Sequence, residues 1–319
     1  MSTVRGSPRV PEESVGSAAR GAEATATTHA WLAQRERGTL GAMRLIAWIT
    51  QHCGYRAGRA LLHPIVLYFV VFSRRARRAS TDYLRRVLGR RPGWRDVYRH
   101  YHTFASTILD RVLLLTGRVG DFDLRITGPD VVATALAEGR GLLLLGAHVG
   151  SFELCRIAGA DRAGLAVNVV MHEANADKIT TWMRETSPER APSVIAPGRP
   201  ETMLRIRDAL ARGEIVAMLG DRPIGRTATQ SVRFLDAPAE VPTGPLRLAL
   251  AVDVPVVLFF GLYRAPRCYD LFFERMDTGG DDQRARLAAL VDAFVARVEA
   301  HTRAAPYNWF NFYDFWGRH

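Results

Sequence analysis

Nearly continuous apolar runs recur through the second half of the chain, separated by amphipathic stretches. The runs at 142–146, 164–171 and 215–220 contain almost no polar residue, which predicts strands that are covered on both faces. The stretch at 199–214 carries apolar residues at helical spacing and predicts an amphipathic helix. Because strands alternate with helices, the pattern predicts an α/β fold with a mostly parallel central sheet and helices on both faces.

The same reasoning predicts the other elements of this domain. Runs rich in β-branched and aromatic residues predict strands at 122–127, 231–236, 254–264 and 268–276, of which the last two should pair with each other. Helical patterns and their end signals predict further helices at 128–141, from 151 onward, near 174–186, at 243–253 and at 282–303.

The first part of the chain has a different character. Residues 1–38 are rich in Ser, Ala, Thr, Gly and Glu, lack the apolar region of a signal peptide and are expected to form a disordered leader. Residues 80–117 are predicted to be helical, with a break at 91–93. We therefore divide the chain into this leader, an N-terminal helical membrane-association segment at 39–92 and an α/β domain at 93–319.

Residues 40–78 are apolar with arginines at both ends. Their longest charge-free piece, at 60–73, is interrupted by a proline and is shorter than the roughly 20 apolar residues of a spanning helix. Two interpretations stay open: a helix lying in the membrane interface, and a helical hairpin packed on the domain's own core. In the first, anionic headgroups would meet a cluster of arginines, namely Arg74, Arg75, Arg77 and Arg78.

Arginine dominates the charge of the protein. The sequence has 43 basic residues against 32 acidic ones, a formal net charge of +11, and Lys178 is its only lysine. The planar guanidinium suits phosphate and carboxylate groups, and the positive charge favours acidic partners and anionic membrane faces. A nucleic-acid partner is not expected, because the arginines are dispersed and no base-stacking motif accompanies them.

Cysteine usage and motifs argue against several other classes. Cys53, Cys155 and Cys268 are odd in number, widely spaced and in no CxxC pair, which argues against disulfides and a zinc site and favours a reducing compartment. The sequence has no P-loop, HExxH or dinucleotide fingerprint, so we expect no metal and no cofactor. Ser151 is not in a G-x-S-x-G elbow, which argues against a serine hydrolase.

The candidate chemistry lies in the stretch GAHVGSFE, residues 146–153, after the strand at 142–146. Sites in parallel α/β folds collect at the carboxyl ends of strands. Glu153, about one turn into the following helix, could accept a hydrogen bond from one ring nitrogen of His148 and raise the basicity of the other. Gly150 and Ser151 keep the backbone bare there, so that N–H groups could hold an anion or an oxyanion.

Spacing alone does not single out this histidine. A second His-x4-acid match, His172 with Asp177, also follows a predicted strand. Either histidine could instead be a structural residue or a helix cap.

Three blocks of the chain resemble one known group of enzymes. Residues 139–154, GRGLLLLGAHVGSFEL, are similar to the first block of the lysophospholipid acyltransferase-like superfamily, in its lipid A biosynthesis (lauroyl/myristoyl) acyltransferase branch. Asp221-Arg222 resembles the pair that ends the branch's third strand, and Thr243-Gly244 resembles its helix opening. The blocks are in order and cover roughly residues 40–315.

Two places depart from the branch. Ser151-Phe152 stands where it often has Asn-Trp, and Met171-His172 stands where it commonly has an aromatic-Arg pair. An arginine that would hold a phosphate is therefore absent after the second strand, and the acceptor stays open.

The resemblance implies an acyltransferase that moves a fatty or related acyl group from an acyl carrier protein or coenzyme A thioester to a hydroxyl or amine of a lipid or glycolipid. His148 would be the general base, oriented by Glu153. Asp221 would hold or polarise the acceptor, or else cap a helix. Arg222 would meet a phosphate of the donor or acceptor, or else form a surface salt bridge. Thr243 would either contact substrate or cap a helix.

The resemblance also implies a place at the cytoplasmic face of a bacterial inner membrane, with no cofactor beyond the thioester co-substrate. Two alternatives remain: an esterase or thioesterase that uses the same pair on water, and a non-catalytic lipid-binding protein. The aromatic C-terminal stretch at 307–316 is interpreted as a tail packed over the core, as a wall of an acyl-chain groove or as an interfacial anchor.

Overall fold

Helical residues at 46, 48–50 and 52 are followed by three longer helices in the part of the chain that the structure describes. This computed structural model describes residues 46, 48–50, 52–115, 117–156, 167–171, 193–198, 201–222, 227–277, 279 and 282–317, all within one compact unit. The helices are α1 (Tyr55–Phe72), α2 (Arg74–Leu88) and α3 (Trp94–Leu115).

The ends of these helices follow from local chemistry. Pro64 lies inside α1 without ending it, and the helix ends where Arg77 donates from Nη1 to the carbonyl groups of Val70 and Val71, at 2.6 and 3.0 Å. Gly89 ends α2 in the left-handed conformation, with φ 63°. The predicted break at 91–93 is confirmed, because the next helix begins at Trp94.

A seven-stranded sheet follows these helices and confirms the predicted fold class. Its spatial order is β1-β9-β8-β2-β5-β3-β4, and every neighbouring pair is parallel except β8 with β9. A separate antiparallel hairpin pairs β6 with β7. The strands are β1 (Asp123–Thr127), β2 (Leu142–Gly150), β3 (Val167–Val170), β4 (Ser193–Ile195), β5 (Ile215–Leu219), β6 (Thr229–Phe234), β7 (Ala237–Pro242), β8 (Val256–Ala265) and β9 (Cys268–Arg275).

Helices cover both faces of the sheet. They are α4 (Val131–Leu136), α5 (Glu201–Ala211), α6 (Gly244–Val252) and α7 (Gln283–Ala304), with a further helical stretch described at 152–156. Side chains of β2 alternate between two hydrophobic clusters. Leu143 and Leu145 pack with residues of α2, α3 and α7, whereas Leu142 and Leu144 pack with residues of α4. Burial on both faces explains why this strand reads as a continuous apolar run.

Some elements differ from the predictions. The predicted strand ended at Gly146, but β2 continues to Gly150, and α4 is shorter than the predicted 128–141. Neither β4 nor β7 was predicted. β4 has only three residues at the sheet edge, and β7 begins and ends with residues of low strand propensity, which a hairpin outside the main sheet tolerates.

Other predictions fall where the structure gives no test. The leader at 1–38 and the helix near 174–186 lie outside the described residues, and the proposed domain boundaries stay predictions. Within the described residues, no helix is both long enough and apolar enough to span a bilayer.

Candidate active site

His148 lies near the carboxyl end of β2, at the centre of the sheet between β8 and β5. The pairing of β2 with β8 shifts register between Gly146 and Gly150, so the strand is irregular where the histidine sits. Its side chain is 31% exposed, which leaves the ring accessible from the surface. A histidine at this edge fits the position of sites in parallel α/β folds.

Asp221 is the carboxylate that orients this ring. Nδ1 of His148 lies 2.7 Å from Asp221 Oδ1, and the backbone N–H of His148 donates to Oδ2 at 3.0 Å. Trp309 Nε1 also donates to Oδ2, at 3.1 Å. Burial acts to raise the pKa of Asp221, but the nearby His148 and then Arg222 outweigh it, so the pKa lies well below its ordinary value. Asp221 is therefore an ionised, buried acceptor of three hydrogen bonds.

Glu153 has different partners from those expected. It is 4% exposed and accepts from Arg156 Nε at 2.9 Å and from Arg156 Nη2, while Arg111 Nη2 approaches its other oxygen at 3.8 Å. The expectation that Glu153 orients His148 is corrected by this geometry. The side chain turns to an arginine one helical turn further on, and Asp221, which is distant in sequence, reaches Nδ1 instead.

Gly150 joins the end of β2 to its neighbours. Its φ is 68°, and a Cβ there would lie 1.9 Å from the carbonyl oxygen of Gly261, so only glycine fits without a backbone shift. The N–H of Gly150 donates to Asn308 O at 2.8 Å, and that of Ser151 donates to Gly261 O at 2.7 Å. These N–H groups are thus already used, which corrects the expectation that they form an open oxyanion cradle.

Ser151 has a local role at the start of the following helix. Its hydroxyl oxygen accepts from the N–H of Leu154 at 3.4 Å, and the side chain is buried. Contact of Gly150 or Ser151 with a substrate stays a prediction.

Arg222 and Thr243 both have internal partners. Arg222 donates to Phe310 O at 2.7 Å and lies over the Tyr313 ring, 5.1 Å from its centroid. Thr243 occupies the N-cap position of α6, but its hydroxyl donates to Ala228 O at 3.1 Å instead of capping the helix. Their predicted contacts with substrate stay predictions, as does the role of His172, which lies outside the described residues.

The C-terminal segment completes the site, and sequence reasoning did not assign it there. Val149 and Trp309 form an antiparallel bridge, and the N–H of Phe310 donates to His148 O at 2.8 Å. Trp309 is 1% exposed and packs edge-on against Tyr83 of α2. The aromatic stretch therefore packs over the core, which agrees with the first of its three interpretations. Its density of aromatics was the available signal. The family resemblance pointed to Asp221 only as a residue that holds or polarises the acceptor, and no sequence pattern predicted its contact with His148.

Comparison with protein families settles the relationship of this chain. The family of bacterial lipid A biosynthesis acyltransferases matches residues 42–317, from before α1 to the end of the described C-terminal segment. The chain belongs to this family. The protein is accordingly an acyltransferase of lipid biosynthesis, which confirms the predicted enzyme class. A comparison with individual curated proteins found no match.

The residues that the family model matches include those of the candidate site. The match includes β2 with His148, the end of β5 with Asp221 and the segment that carries Trp309. The acyltransferase thus carries an accessible imidazole, a buried ionised carboxylate on its Nδ1 and an indole N–H that fixes the carboxylate. Such an arrangement can accept a proton on Nε2 while the carboxylate stabilises the resulting imidazolium.

Proposed function

We propose that the protein transfers an acyl group from an acyl carrier protein or coenzyme A thioester to a hydroxyl or amine of a lipid or glycolipid, with His148 as general base. The observation that carries the proposal is the 2.7 Å contact between His148 Nδ1 and Asp221. Because the ionised carboxylate holds the Nδ1–H, the ring carries its lone pair on Nε2. No metal or resident cofactor takes part in this proposal.

The proposed reaction is a direct transfer. Nε2 of His148 takes the proton as the acceptor oxygen or nitrogen attacks the thioester carbonyl carbon, forming a tetrahedral intermediate and an imidazolium. The carbon–sulfur bond then breaks, and the leaving thiolate takes the proton from Nε2. Asp221 stabilises the imidazolium throughout, and no acyl-enzyme forms. General-base help of this kind contributes about 10²–10⁴ in rate.

A location at the cytoplasmic face of a bacterial inner membrane is part of the proposal. What supports it is the outer surface of α1, where four large apolar side chains are exposed: Leu67, Tyr68, Val71 and Phe72. Arg74 and Arg75 follow directly at the start of α2 and are also exposed. Apolar side chains beside arginines suit the interface of an anionic membrane. The net positive charge likewise suits an acidic carrier protein.

The proposed chemistry is tested by thiol release from an acyl thioester, with and without a lipid acceptor. Acceptor-dependent release by the parent protein, reduced by about 10²–10⁴ in His148→Ala, is the expected result. Release that is equally fast without acceptor would instead indicate a thioesterase. His172→Ala is the matched control, because it removes the other His-x4-acid match; activity lost there and kept in His148→Ala would contradict the assignment.

A further inference from the structure

A second group of basic side chains lies between α1 and α3, on helices and not at the strand ends that carry His148 and Asp221. It consists of Arg59 and His63 from α1 and His102 from α3, and we name it the α1–α3 basic cluster. The rings of His63 and His102 stack with centroids 5.0 Å apart. His63 Nδ1 also lies 2.6 Å from the hydroxyl oxygen of Tyr98.

Arg59 is half-buried, yet among the described residues it makes only two long hydrogen bonds. Its Nη1 donates to the hydroxyl oxygens of Tyr263 at 3.3 Å and Ser106 at 3.5 Å, and within the described residues no carboxylate reaches ion-pair distance of it. By contrast, Arg264 pairs with Asp270 at 2.7 Å. A guanidinium has five N–H donors, so Arg59 retains unused capacity for an oxygen-rich anion.

The acidic group on this face of α3 is engaged elsewhere. Asp110 lies one turn beyond Ser106, and its two carboxylate oxygens accept from Tyr55 at 2.6 Å and from Tyr269 at 2.8 Å. The backbone N–H of Arg267 also donates to Asp110, at 3.2 Å, so all three hydrogen bonds come from neutral donors. Burial raises the pKa of Asp110, which these bonds and the nearby Arg59 only partly oppose. The cluster thus gathers three basic side chains, and no carboxylate among the described residues forms an ion pair with any of them.

His102 likewise lacks a partner for one of its polar atoms. Its Nε2 is buried and has no hydrogen-bond partner among the residues that the structure describes. Burial, followed by the nearby Arg59 and His63, lowers the pKa of His102 to about 4. An anion bound beside it would relieve this repulsion and would give Nε2 a partner.

Position links the cluster to both the outer surface and the catalytic strand. Leu67, the first exposed apolar residue of the α1 surface, lies one helical turn beyond the exposed His63. On the inner side, the backbone N–H of Tyr263 donates to Asn308 Oδ1 at 2.7 Å, and Asn308 O accepts from Gly150 at the end of β2. A headgroup held here would have apolar protein surface on one side and the catalytic strand on the other.

We propose that Arg59, His63 and His102 form a binding site for the phosphate group of an anionic amphiphile, with the hydroxyls of Tyr98 and Tyr263 as further donors. The site rests on the proposed function in one respect, because the amphiphile is taken to be a lipid of the same membrane surface. A thioester donor also carries phosphate groups, in its pantetheine arm and its nucleotide. The test must therefore distinguish a lipid phosphate from a donor phosphate.

Binding of the full chain is measured with phosphatidylcholine vesicles that contain or lack phosphatidic acid, and with inorganic phosphate and coenzyme A as soluble competitors. Arg59→Ala should weaken binding to the phosphatidic acid vesicles about tenfold, the loss of one charge-assisted contact. Arg56→Ala removes the same charge from an exposed position on the same helix and should have little effect. Equal weakening in the two variants would overturn the site.

A second pair of variants protects the test against misfolding of Arg59→Ala. His63 and His52 are both exposed, so neither His63→Ala nor His52→Ala should disturb the core. His63→Ala should lower vesicle affinity several-fold and His52→Ala should not; no difference between them would contradict the proposal. Coenzyme A competing far better than inorganic phosphate would assign the phosphate to the thioester donor and overturn the lipid assignment.

His148→Ala separates this inference from the proposed function. This variant should bind phosphatidic acid vesicles as the parent does while losing acyl transfer. A failed phosphate site therefore leaves the His148 chemistry standing, and failed acyl transfer by the parent leaves the phosphate measurement interpretable.

Discussion

At the scale of single residues, Asp221 takes the orienting role that local spacing suggests for Glu153. Glu153, five positions after His148, forms a buried ion pair with Arg156. Asp221, 73 positions away, meets the imidazole. Local spacing could predict that a carboxylate would be near the histidine, but not which one. That choice depends on the parallel pairing of β2 with β5, which brings the ends of both strands together.

Because Glu153 forms a buried ion pair with Arg156, substituting Glu153 should lower the stability of the fold and not the rate of catalysis specifically. Glu153→Gln leaves the buried Arg156 charge without its counter-ion, and removing one partner of a buried pair costs about 3–5 kcal/mol. The midpoint of urea unfolding should fall accordingly. The exposed pair Arg207–Asp208 provides the control, since Asp208→Asn should change the midpoint little. An unchanged midpoint for Glu153→Gln would show that the buried pair is not structural.

At the scale of elements, apolar runs predict the central strands well. β2, β3, β5, β8 and β9 all lie within or overlap the predicted segments, because burial on both faces leaves a strong pattern. The C-terminal segment shows the limit of such reasoning. Its backbone joins β2 through one bridge and a few hydrogen bonds. Pairing of this kind produces no regular alternation of apolar and polar residues in the sequence.

His100 of α3 ties that segment to the helices and makes the connection sensitive to acid. Its ring is fully buried, with Nδ1 2.8 Å from Ser80 Oγ and Nε2 2.8 Å from Trp309 O. Burial disfavours the charged ring and lowers the pKa of His100 to about 4, although the Trp309 carbonyl partly opposes this.

The sign of the pH effect follows from proton binding. Between the unfolded pKa of about 6.5 and the folded pKa of about 4, the unfolded chain binds more protons, so stability falls as pH falls through this window. The full effect is on the order of 3 kcal/mol. His102 contributes in the same window, so the readout is the difference between the parent and His100→Gln. Urea midpoints measured from pH 7 to pH 4 should fall less steeply in the variant; identical slopes would contradict this role.

At the scale of the whole molecule, the pattern of apolar runs predicts the fold class and composition shows the excess of positive charge, but neither predicts where apolar surface remains exposed. The sequence left open whether residues 40–78 form an interfacial helix or a hairpin packed on the core. The structure combines features of both: Leu62 and Val66 of α1 are buried, while Leu67 and Phe72 are exposed. Deleting this segment would therefore uncover the core, so substitutions on the surface are the cleaner test.

Membrane association should depend on the exposed side of α1. The double variant Leu67→Ser with Phe72→Ser should float several-fold less with anionic vesicles, because it removes apolar area that would enter the interface. Met203→Ser with Leu204→Ser is the matched control, since these side chains are similarly exposed on α5. Equal loss in both double variants would point to a general change in solubility instead.

The central claim is that Asp221 orients the imidazole of His148 and stabilises the positive charge that the ring gains in catalysis. Its most direct test is turnover and acceptor KM for Asp221→Asn, which keeps the shape of the side chain and removes its charge. The account predicts that kcat falls by about 10²–10⁴ while acceptor KM changes little, because the imidazolium of the transition state loses its stabilising partner. Wild-type turnover in folded Asp221→Asn, or a defect confined to acceptor KM, would contradict the account.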